Sequence, residues 1–231
     1  MLQRTAVANL LGRTALFGSL VHADRLEVAD EMRRVGFAQG QVIFSRGDPG
    51  EDVFLVVEGR VRLSVLASDG RALSFKHANP GDIFGEIAAL DGGTRSADAI
   101  ALTRVLIMSL PQARLNALIE ANPRVARAAI AFLCLRMRET SEQFEAIALH
   151  PIEVRLARLL LLRCNQRERQ GDGRVAIELG MSQSELALLL GASRQRVNAA
   201  LTLLQRGGAI ERAGRKLICN VAKLQRFAEP D

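Results

Sequence analysis

The sequence predicts an α+β protein with an all-β front half, one long connecting helix and a winged helix-turn-helix at the back. Short apolar runs separated by turn residues fill positions 35–108, an unbroken helical stretch starts at Pro123, and two short capped helices follow residue 181. A chain of 231 residues has room for two modest domains. We expect a β-roll over 1–122, a helix and hinge over 123–150, and a winged helix-turn-helix over 151–231.

Composition indicates an ordinary globular protein, with 48% hydrophobic and 24% charged residues. No apolar run approaches the roughly 18 uncharged residues of a membrane helix, and the N-terminus lacks the pattern of a signal peptide. The three cysteines, Cys134, Cys164 and Cys219, lie far apart, which argues against a disulfide scaffold and most zinc folds. We therefore expect a cytoplasmic protein with no metal and no membrane partner.

The net charge of +6 is unevenly distributed along the chain. Residues 1–150 carry 17 Lys and Arg against 17 Asp and Glu, whereas residues 151–231 carry 14 against 8. A neutral front and a basic back favour a sensing or structural domain joined to a domain that binds a polyanion such as nucleic acid. Because 28 of the 31 cations are Arg, an arginine-rich genome also explains part of this excess.

The front half alternates short apolar runs with tight-turn residues such as Asn79-Pro80-Gly81-Asp82. Strands spaced about 8–12 residues apart are typical of a small all-β sandwich or roll. The flanks, residues 9–34 and 111–121, are predicted to form short helices. The predicted strands include Val42–Phe44, Val53–Val57, Val61–Val65 and Val105–Met108.

The long helix begins at Pro123 and meets no Gly or Pro before Pro151. Apolar positions on it recur with alternating spacings of 4 and 3, which defines a heptad seam. The seam predicts a homodimer held by a parallel coiled coil; the alternative is that this face packs on its own domain. His150-Pro151 is the natural hinge. The seam positions are Ala126, Ile130, Leu133, Met137, Thr140, Phe144 and Ile147.

The back half contains two short helices joined at a glycine turn. Ser182 and Glu185 form a capping box, Gly191 ends the first helix, and Ser193 caps the second. Side chains of Arg, Gln and Asn type at the start of the second helix read base edges in the major groove. A basic hairpin after Gly207-Gly208 completes the wing. The alternative to a DNA-binding motif is a helical hairpin whose arginines are merely solvated. The predicted DNA-binding residues are Ser182, Ser193, Arg194, Gln195, Arg196 and Asn198.

A second dense motif runs from Gly85 to Ala97. A glycine and a carboxylate, Glu86, open a one-turn helix, and Arg95 and Ser96 follow nine and ten residues later. Free helix amides, a guanidinium and a hydroxyl together form an anion cradle. A carboxylate fits beside a phosphate only if the ligand also carries hydroxyls, so Glu86 suits a ribose 2′-hydroxyl. The alternative is a structural ion pair between Glu86 and Arg95.

These motifs together resemble the Crp/Fnr regulators, in the cyclic AMP receptor or catabolite activator branch. The Gly-Glu-Ile…Arg-Ser-Ala run is similar to the phosphate-binding cassette of cyclic-nucleotide-binding domains, and the resemblance covers about residues 15–225. It implies that Arg95 and Ser96 bind the cyclic phosphate and Glu86 the 2′-hydroxyl. The implied nucleotide-binding residues are Gly85, Glu86, Ile87, Arg95, Ser96, Ala97, Arg136, Thr140 and Ser141.

The resemblance also implies ligand and partners. In the family, the positions matched by Thr140 and the partner subunit's Ser141 contact the adenine amino group, so cyclic AMP is the implied ligand. The hydroxyl of Ser96, directly after Arg95, also suits a guanine amino group. Cyclic GMP therefore remains an alternative ligand. The implied partners are a second copy of the chain, an inverted-repeat DNA operator and RNA polymerase.

The recognition helix departs from the best-known bacterial activator of the family. It begins Arg194-Gln195-Arg196 where that activator has Arg-Glu-Thr, and Ala199 stands where it has a second guanine-reading Arg. The half-site preference of that activator therefore does not carry over to this sequence.

Several other functions compete with this interpretation. An iron–sulfur sensor needs an N-terminal cysteine cluster, but no Cys precedes Cys134. His77 is the one histidine placed to ligate haem in the β-roll. No arrangement of residues typical of an enzyme active site stands out. A kinase regulatory subunit would need a second cassette, and the sequence shows one. The main alternative is a regulator that binds DNA without a cyclic nucleotide.

Overall fold

The computed structural model describes residues 4–66, 72–165, 173–214 and 216–229. Its internal contacts divide the chain into two units. The first unit comprises residues 1–71 and 75–140, and the second comprises 72–74 and 141–231.

The elements up to the end of the long helix are antiparallel strands flanked by helices. The helices are α1 (Arg4–Leu11), α2 (His22–Glu31), α3 (Glu86–Asp91), α4 (Gln112–Ala121) and α5 (Pro123–Leu149). The strands are β1 (Arg33–Phe37), β2 (Val42–Phe44), β3 (Asp52–Glu58), β4 (Val61–Leu66), β5 (Ala72–Ala78), β6 (Ile83–Phe84), β7 (Asp98–Ala101) and β8 (Val105–Pro111).

Two four-stranded sheets build the β-roll, with strand orders β1-β8-β3-β6 and β2-β7-β4-β5. Alternate side chains of the strands fill a core between them, including Phe54, Val61 and Ile107. A second core lies beneath the helices, where Val125, Ala129 and Phe132 of α5 are buried. The first half of α5 therefore has one face that belongs to the core of the first unit.

The predicted strands and the long helix are confirmed, but the flank over residues 9–34 is only partly helical. Residues 33–37 form β1, in which Arg33 pairs with Ser109 and Phe37 with Val105 of β8. Polar Arg33 and Arg34 are exposed at this sheet edge, where the sequence lacks the apolar alternation that marks a strand. Of the helices in the described part of the chain, none is long and apolar enough to cross a membrane.

The remaining elements form the winged domain of the second unit. They are α6 (Ile152–Cys164), β9 (Arg174–Ile177), α7 (Gln183–Leu189), α8 (Arg194–Arg206), β10 (Ile210–Ala213), β11 (Lys216–Asn220) and α9 (Val221–Ala228). The three strands form an antiparallel sheet in the order β10-β11-β9. Helix α9 was not anticipated from the sequence. It is capped by Asn220, buries Val221, Leu224 and Ala228, and joins the core of α6 and α8.

Candidate functional site

The turn before α3 places the first predicted ligand residues. Gly85 has a φ of 76°, which L side chains rarely adopt. A Cβ on Gly85 would lie 2.7 Å from Nη1 of Arg95, so the close approach of the guanidinium also requires glycine here. Glu86 begins the helix with only 6% of its surface exposed.

Arg95 is a buried cation beside this turn, with 5% of its surface exposed. Its Nη1 donates hydrogen bonds to the carbonyl oxygens of Asp52 and Gly85, both at 2.8 Å. Its guanidinium carbon lies 4.5 Å from the ring centroid of Phe44 and 5.1 Å from that of Phe54, which is a cation–π geometry. Its Nε is buried with no hydrogen-bond partner among the described residues.

Several carboxylates stabilise the charge of Arg95. Burial lowers the pKa of its guanidinium, whereas the carboxylates of Asp52, Asp48, Glu86 and Glu51, in that order, raise it. The cassette cation is therefore buried in an acidic setting, and an anionic ligand has to compete with these carboxylates for it.

A cleft of about 40 Å³ joins the predicted cassette residues. Gly85, Glu86, Ile87, Arg95, Ser96 and Ala97 all line it, together with Phe44, Leu63, Phe75 and Ala88. This volume holds a group of a few heavy atoms and is far below the roughly 300 Å³ of a typical ligand pocket. At its rim Ile87 is 43% and Phe75 38% exposed, so apolar side chains continue the cleft toward solvent.

The pKa of the Glu86 carboxyl lies well above its ordinary value. Burial raises the pKa of Glu86 to about 7 and the charge of Glu139 adds to the rise, while the backbone amide of Glu86 and the charge of Arg95 oppose it. A carboxyl with this pKa changes its charge near neutral pH, so its ability to accept a hydrogen bond as a carboxylate depends on its neighbours.

Arg136 of α5 links the cassette to the long helix. Its Nε lies 3.4 Å from Oε1 of Glu86, and its Nη2 donates to the carbonyl of Ile83 at 2.8 Å. Its Nη1 donates to Oε2 of Glu139 at 3.0 Å. Stacking on the ring of Phe132, with the guanidinium 4.7 Å from its centroid, fixes the side chain. The predicted residue Arg136 is therefore in contact with the cassette.

The other two predicted α5 residues, Thr140 and Ser141, are exposed. Thr140 donates its hydroxyl to the carbonyl of Arg136, one turn earlier, at 2.9 Å, and Ser141 lies beside it. The same helix exposes large apolar side chains on the face away from Val125 and Phe132. Ile130 is 62%, Met137 66% and Phe144 74% exposed, which is unusual for side chains this large.

The second unit holds the predicted helix pair. Ser182 accepts a hydrogen bond from the amide of Glu185 and the Glu185 carboxylate accepts one from the amide of Ser182, so both halves of the capping box form. Ser193 accepts one from the amide of Arg196 and caps α8. Gly191 has a φ of 58° at the turn between the helices, which explains why a glycine stands there.

The outer face of α8 exposes most of its predicted residues. Ser193, Arg194, Gln195 and Arg196 are exposed. Asn198 is half-buried instead, and its Oδ1 is buried with no partner among the described residues. At about 100° per residue, Asn198 falls beside the buried stripe that contains Val197 and Leu201. Asn198 therefore lies at the margin of the exposed face, one helical turn after Arg194, and its contact with DNA stays a prediction.

Arg155 of α6 supports the turn of the helix pair. It is 8% exposed, and its Nη1 donates to the carbonyl of Leu190 at the end of α7. Burial lowers the pKa of Arg155, the charge of Arg196 adds to this, and Glu153 opposes it. The wing β10–β11 exposes Arg212 and Lys216, so the second unit carries exposed positive charge on the wing as well as on α8.

Comparison with known proteins matches each half of the chain to a domain family. Residues 34–122 match the cyclic nucleotide-binding domain family, and residues 154–227 match the Crp-like helix-turn-helix domain. The cyclic AMP receptor protein of Thermus thermophilus is 33% identical over 174 residues, which cover 75% of this chain and 77% of that protein. The chain belongs to the Crp/Fnr family of transcription regulators.

Two further relatives extend the match over nearly the whole regulator. A CRP-like cAMP-activated global transcriptional regulator of Mycobacterium tuberculosis is 28% identical over 220 residues, 95% of this chain and 98% of that one. The solved structure of a CRP/FNR family transcriptional regulator from Thermus thermophilus is 28% identical with a TM-score of 0.65, covering 85% of this chain and 98% of that one. The family consists of DNA-binding transcription regulators rather than enzymes.

Some residues at the two sites were missed by sequence reasoning. Phe44 and Phe75 belong to strands outside the cassette motif but line the same cleft. Lys76 and Glu139 form an ion pair because β5 and α5 come together. In the second unit Arg155 looks like one arginine among many in an amphipathic helix. The available signal is indirect: Phe44 and Phe75 are aromatic residues in a chain with 4% aromatics.

Proposed function

We propose that this Crp/Fnr regulator is a homodimer that binds cyclic AMP in the first unit and then binds an inverted-repeat DNA operator with α8. The observation that carries the proposal is the cassette itself: Glu86, Arg95 and Ser96 line one cleft, with Arg136 of the long helix bonded to Glu86. A cyclic phosphate presents the anion, and the ribose 2′-hydroxyl the donor, that these side chains suit.

A cleft of this size encloses only part of a nucleotide, and the rest of the ligand lies at its apolar rim. The enclosed part accommodates the cyclic phosphate against Arg95 and Ser96, and the purine lies along the apolar rim of Ile87 and Phe75. The buried Nε of Arg95, which has no partner among the described residues, supplies a donor to the phosphate. Leaving a buried donor unpaired costs about 1–3 kcal/mol, and a bound anion removes that cost.

The exposed apolar face of α5 supports the dimer. Ile130, Met137 and Phe144 recur at heptad spacing and are all more than 60% exposed, although side chains of this size are normally covered. A second copy of the helix covers them in a parallel coiled coil, with Thr140 at the dimer axis. Two recognition helices related by a two-fold axis then require half-sites about one helical turn apart.

Calorimetry with cyclic AMP and cyclic GMP tests the proposal most simply. We expect one nucleotide per chain, with cyclic AMP bound more tightly than cyclic GMP. The absence of heat from both nucleotides at millimolar concentration would contradict the ligand assignment.

A second candidate is a regulator that binds DNA without a cyclic nucleotide. The contacts of Arg95 with the carbonyls of Asp52 and Gly85 favour it, because they satisfy part of the guanidinium inside the protein. Operator binding by the protein freed of nucleotide, as tight as in its presence, would select this candidate.

A further inference from the structure

A chain of alternating charges runs from β5 through α5 to the cassette. Nζ of Lys76 lies 3.7 Å from Oε2 of Glu139, and the same oxygen accepts a hydrogen bond from Nη1 of Arg136 at 3.0 Å. Arg136 in turn lies 3.4 Å from Glu86. Two of the four groups, Lys76 and Glu139, belong to neither the cassette motif nor the seam of α5.

Glu139 and Glu86 share one cation. Both carboxylates contact Arg136, whose position is fixed by its bond to the carbonyl of Ile83 and by the ring of Phe132. Arg136 therefore lies between the two carboxylates, and the charge of Glu139 is one of those that act on Glu86. Lys76, with 21% of its side chain exposed, partly neutralises Glu139 from the opposite side.

We infer that Lys76 and Glu139 are positioning residues that adjust the charge of Glu86, and through it the strength with which the cassette holds a ribose 2′-hydroxyl. This inference deepens the proposed function and depends on it for the identity of the ligand. Only the ionised carboxylate of Glu86 accepts a strong hydrogen bond from a hydroxyl, and the negative charge of Glu139 disfavours that ionised form.

Among the described residues, the charged groups that act on Glu86 come from several elements. Arg95 and Arg136 are its cationic neighbours, and Glu139 is the carboxylate that raises its pKa. From β3, which packs on α3, Asp52 acts on Arg95. From α4 the uncharged Gln112 reaches Gly92 at the far end of α3. Asp82, before β6, has its pKa raised first by burial and further by Glu139, so the effect of Glu139 extends to both acids near this turn.

The direct test is an NMR titration of the Glu86 carboxyl in the full-length protein without nucleotide. In Glu139→Gln we expect the pKa of Glu86 to fall by roughly 0.5 to 1 from the wild-type value, because a like charge has been removed. In Lys76→Met we expect it to rise. In the double variant of Lys76→Met and Glu139→Gln, we expect the pKa of Glu86 to match that of Glu139→Gln alone. Lys76 acts through the charge of Glu139, which this variant lacks.

Glu142→Gln is the matched control, since Glu142 is an exposed carboxylate on the same helix and is not among the charges that shift the pKa of Glu86. It leaves the pKa of Glu86 unchanged. The inference is overturned if Glu139→Gln leaves the pKa of Glu86 where it is in the wild type, or if Lys76→Met shifts it equally with and without Glu139.

Binding of cyclic AMP and 2′-deoxy cyclic AMP tests the consequence. At pH 6, below the pKa of about 7, a small part of Glu86 is ionised in the wild type. There we expect Glu139→Gln to favour cyclic AMP over its 2′-deoxy analogue about two- to fivefold more than the wild type does, and Lys76→Met to favour it less. A change in both affinities by the same factor would overturn the link to the 2′-hydroxyl. If neither nucleotide binds the wild type while the pKa of Glu86 shifts as expected, the proposed ligand is wrong and the charge-setting role stands.

Discussion

Each unit of the chain buries one arginine, and the two are held in different electrostatic settings. Arg95 is 5% and Arg155 8% exposed, and the Nε of each has no partner among the described residues. Four carboxylates stabilise the charge of Arg95, whereas Arg155 is repelled by Arg196 and bonded to one helix-terminal carbonyl. Burial alone therefore does not describe either arginine: nearby carboxylates offset part of the charge of Arg95, whereas Arg196 adds positive charge beside Arg155. An anionic ligand at Arg95 has to compete with those carboxylates.

The same contrast extends to the acid beside each cation. Glu86 is buried with Arg95 and Arg136 around it, and burial raises its pKa to about 7. Glu153, the acid that acts on Arg155, opens α6 at a half-buried position. The acid beside Arg95 is therefore buried with a raised pKa, whereas the acid that acts on Arg155 is half-buried. Substitutions in the two units test what this difference does.

Glu86→Gln should remove a pH dependence of stability. The folded pKa of Glu86, about 7, lies above its ordinary 4.5, so the folded chain binds the proton more tightly than the unfolded one. This contribution is fully present below pH 4.5 and is lost as the pH rises through 7. Relative to Glu86→Gln, the wild-type free energy of unfolding should fall by about 3 kcal/mol across this window. Urea unfolding at several pH values measures it, and parallel profiles would refute it.

Arg155→Ala should destabilise the second unit and leave nucleotide binding unchanged. It removes the donor to the Leu190 carbonyl and leaves a cavity, at a cost of about 2–3 kcal/mol in the free energy of unfolding. Thermal unfolding measures the loss. Arg226→Ala, at an exposed arginine of α9, is the control and should change stability by less than about 0.5 kcal/mol. A stable Arg155→Ala protein with normal operator affinity would show that the turn needs no such support.

Arg95→Ala should weaken nucleotide binding by about tenfold to a hundredfold or more, since a charge-assisted contact is worth roughly 1.5–3 kcal/mol. The carbonyls of Asp52 and Gly85 also lose their donor, so the first unit should unfold somewhat more easily. Calorimetry on Arg95→Ala and on the exposed control Arg104→Ala separates the site from a general charge effect. Wild-type affinity in Arg95→Ala would remove the basis for the cassette assignment.

Arg194→Ala should cost roughly 1–3 kcal/mol in operator affinity and relax specificity at one base pair in each half-site. Binding to a panel of single-base operator variants measures this. An equal loss for every sequence would instead make Arg194 a phosphate contact.

Local signals in the sequence were enough to predict much of both sites. The capping box of Ser182 and Glu185 and the glycine before Glu86 act within a few residues, so the pattern alone specifies them. The seam of α5 could be predicted because 3.6-residue periodicity is a property of the helix itself. These features needed no knowledge of the tertiary structure.

Other features depend on contacts between residues far apart in sequence. Lys76 and Glu139 are 63 positions apart, and their ion pair exists only because β5 and α5 come together. The partial burial of Asn198 depends on what packs beside the buried stripe of α8, which the spacing of residues within the helix does not show. The charge on Glu86 depends on burial and on several other residues at once, so no single sequence motif encodes it.

The central claim is that nucleotide binding in one unit raises operator affinity in the other, and operator affinity with and without cyclic AMP measures it directly. If the ligand favours the DNA-binding state, the two affinities should differ by about 5–150-fold, the usual range of allosteric coupling. Thr140→Ala combined with Ser141→Ala should lose most of that ratio while Arg95 still binds the phosphate. Equal operator affinity with and without saturating cyclic AMP in the wild type would contradict the account.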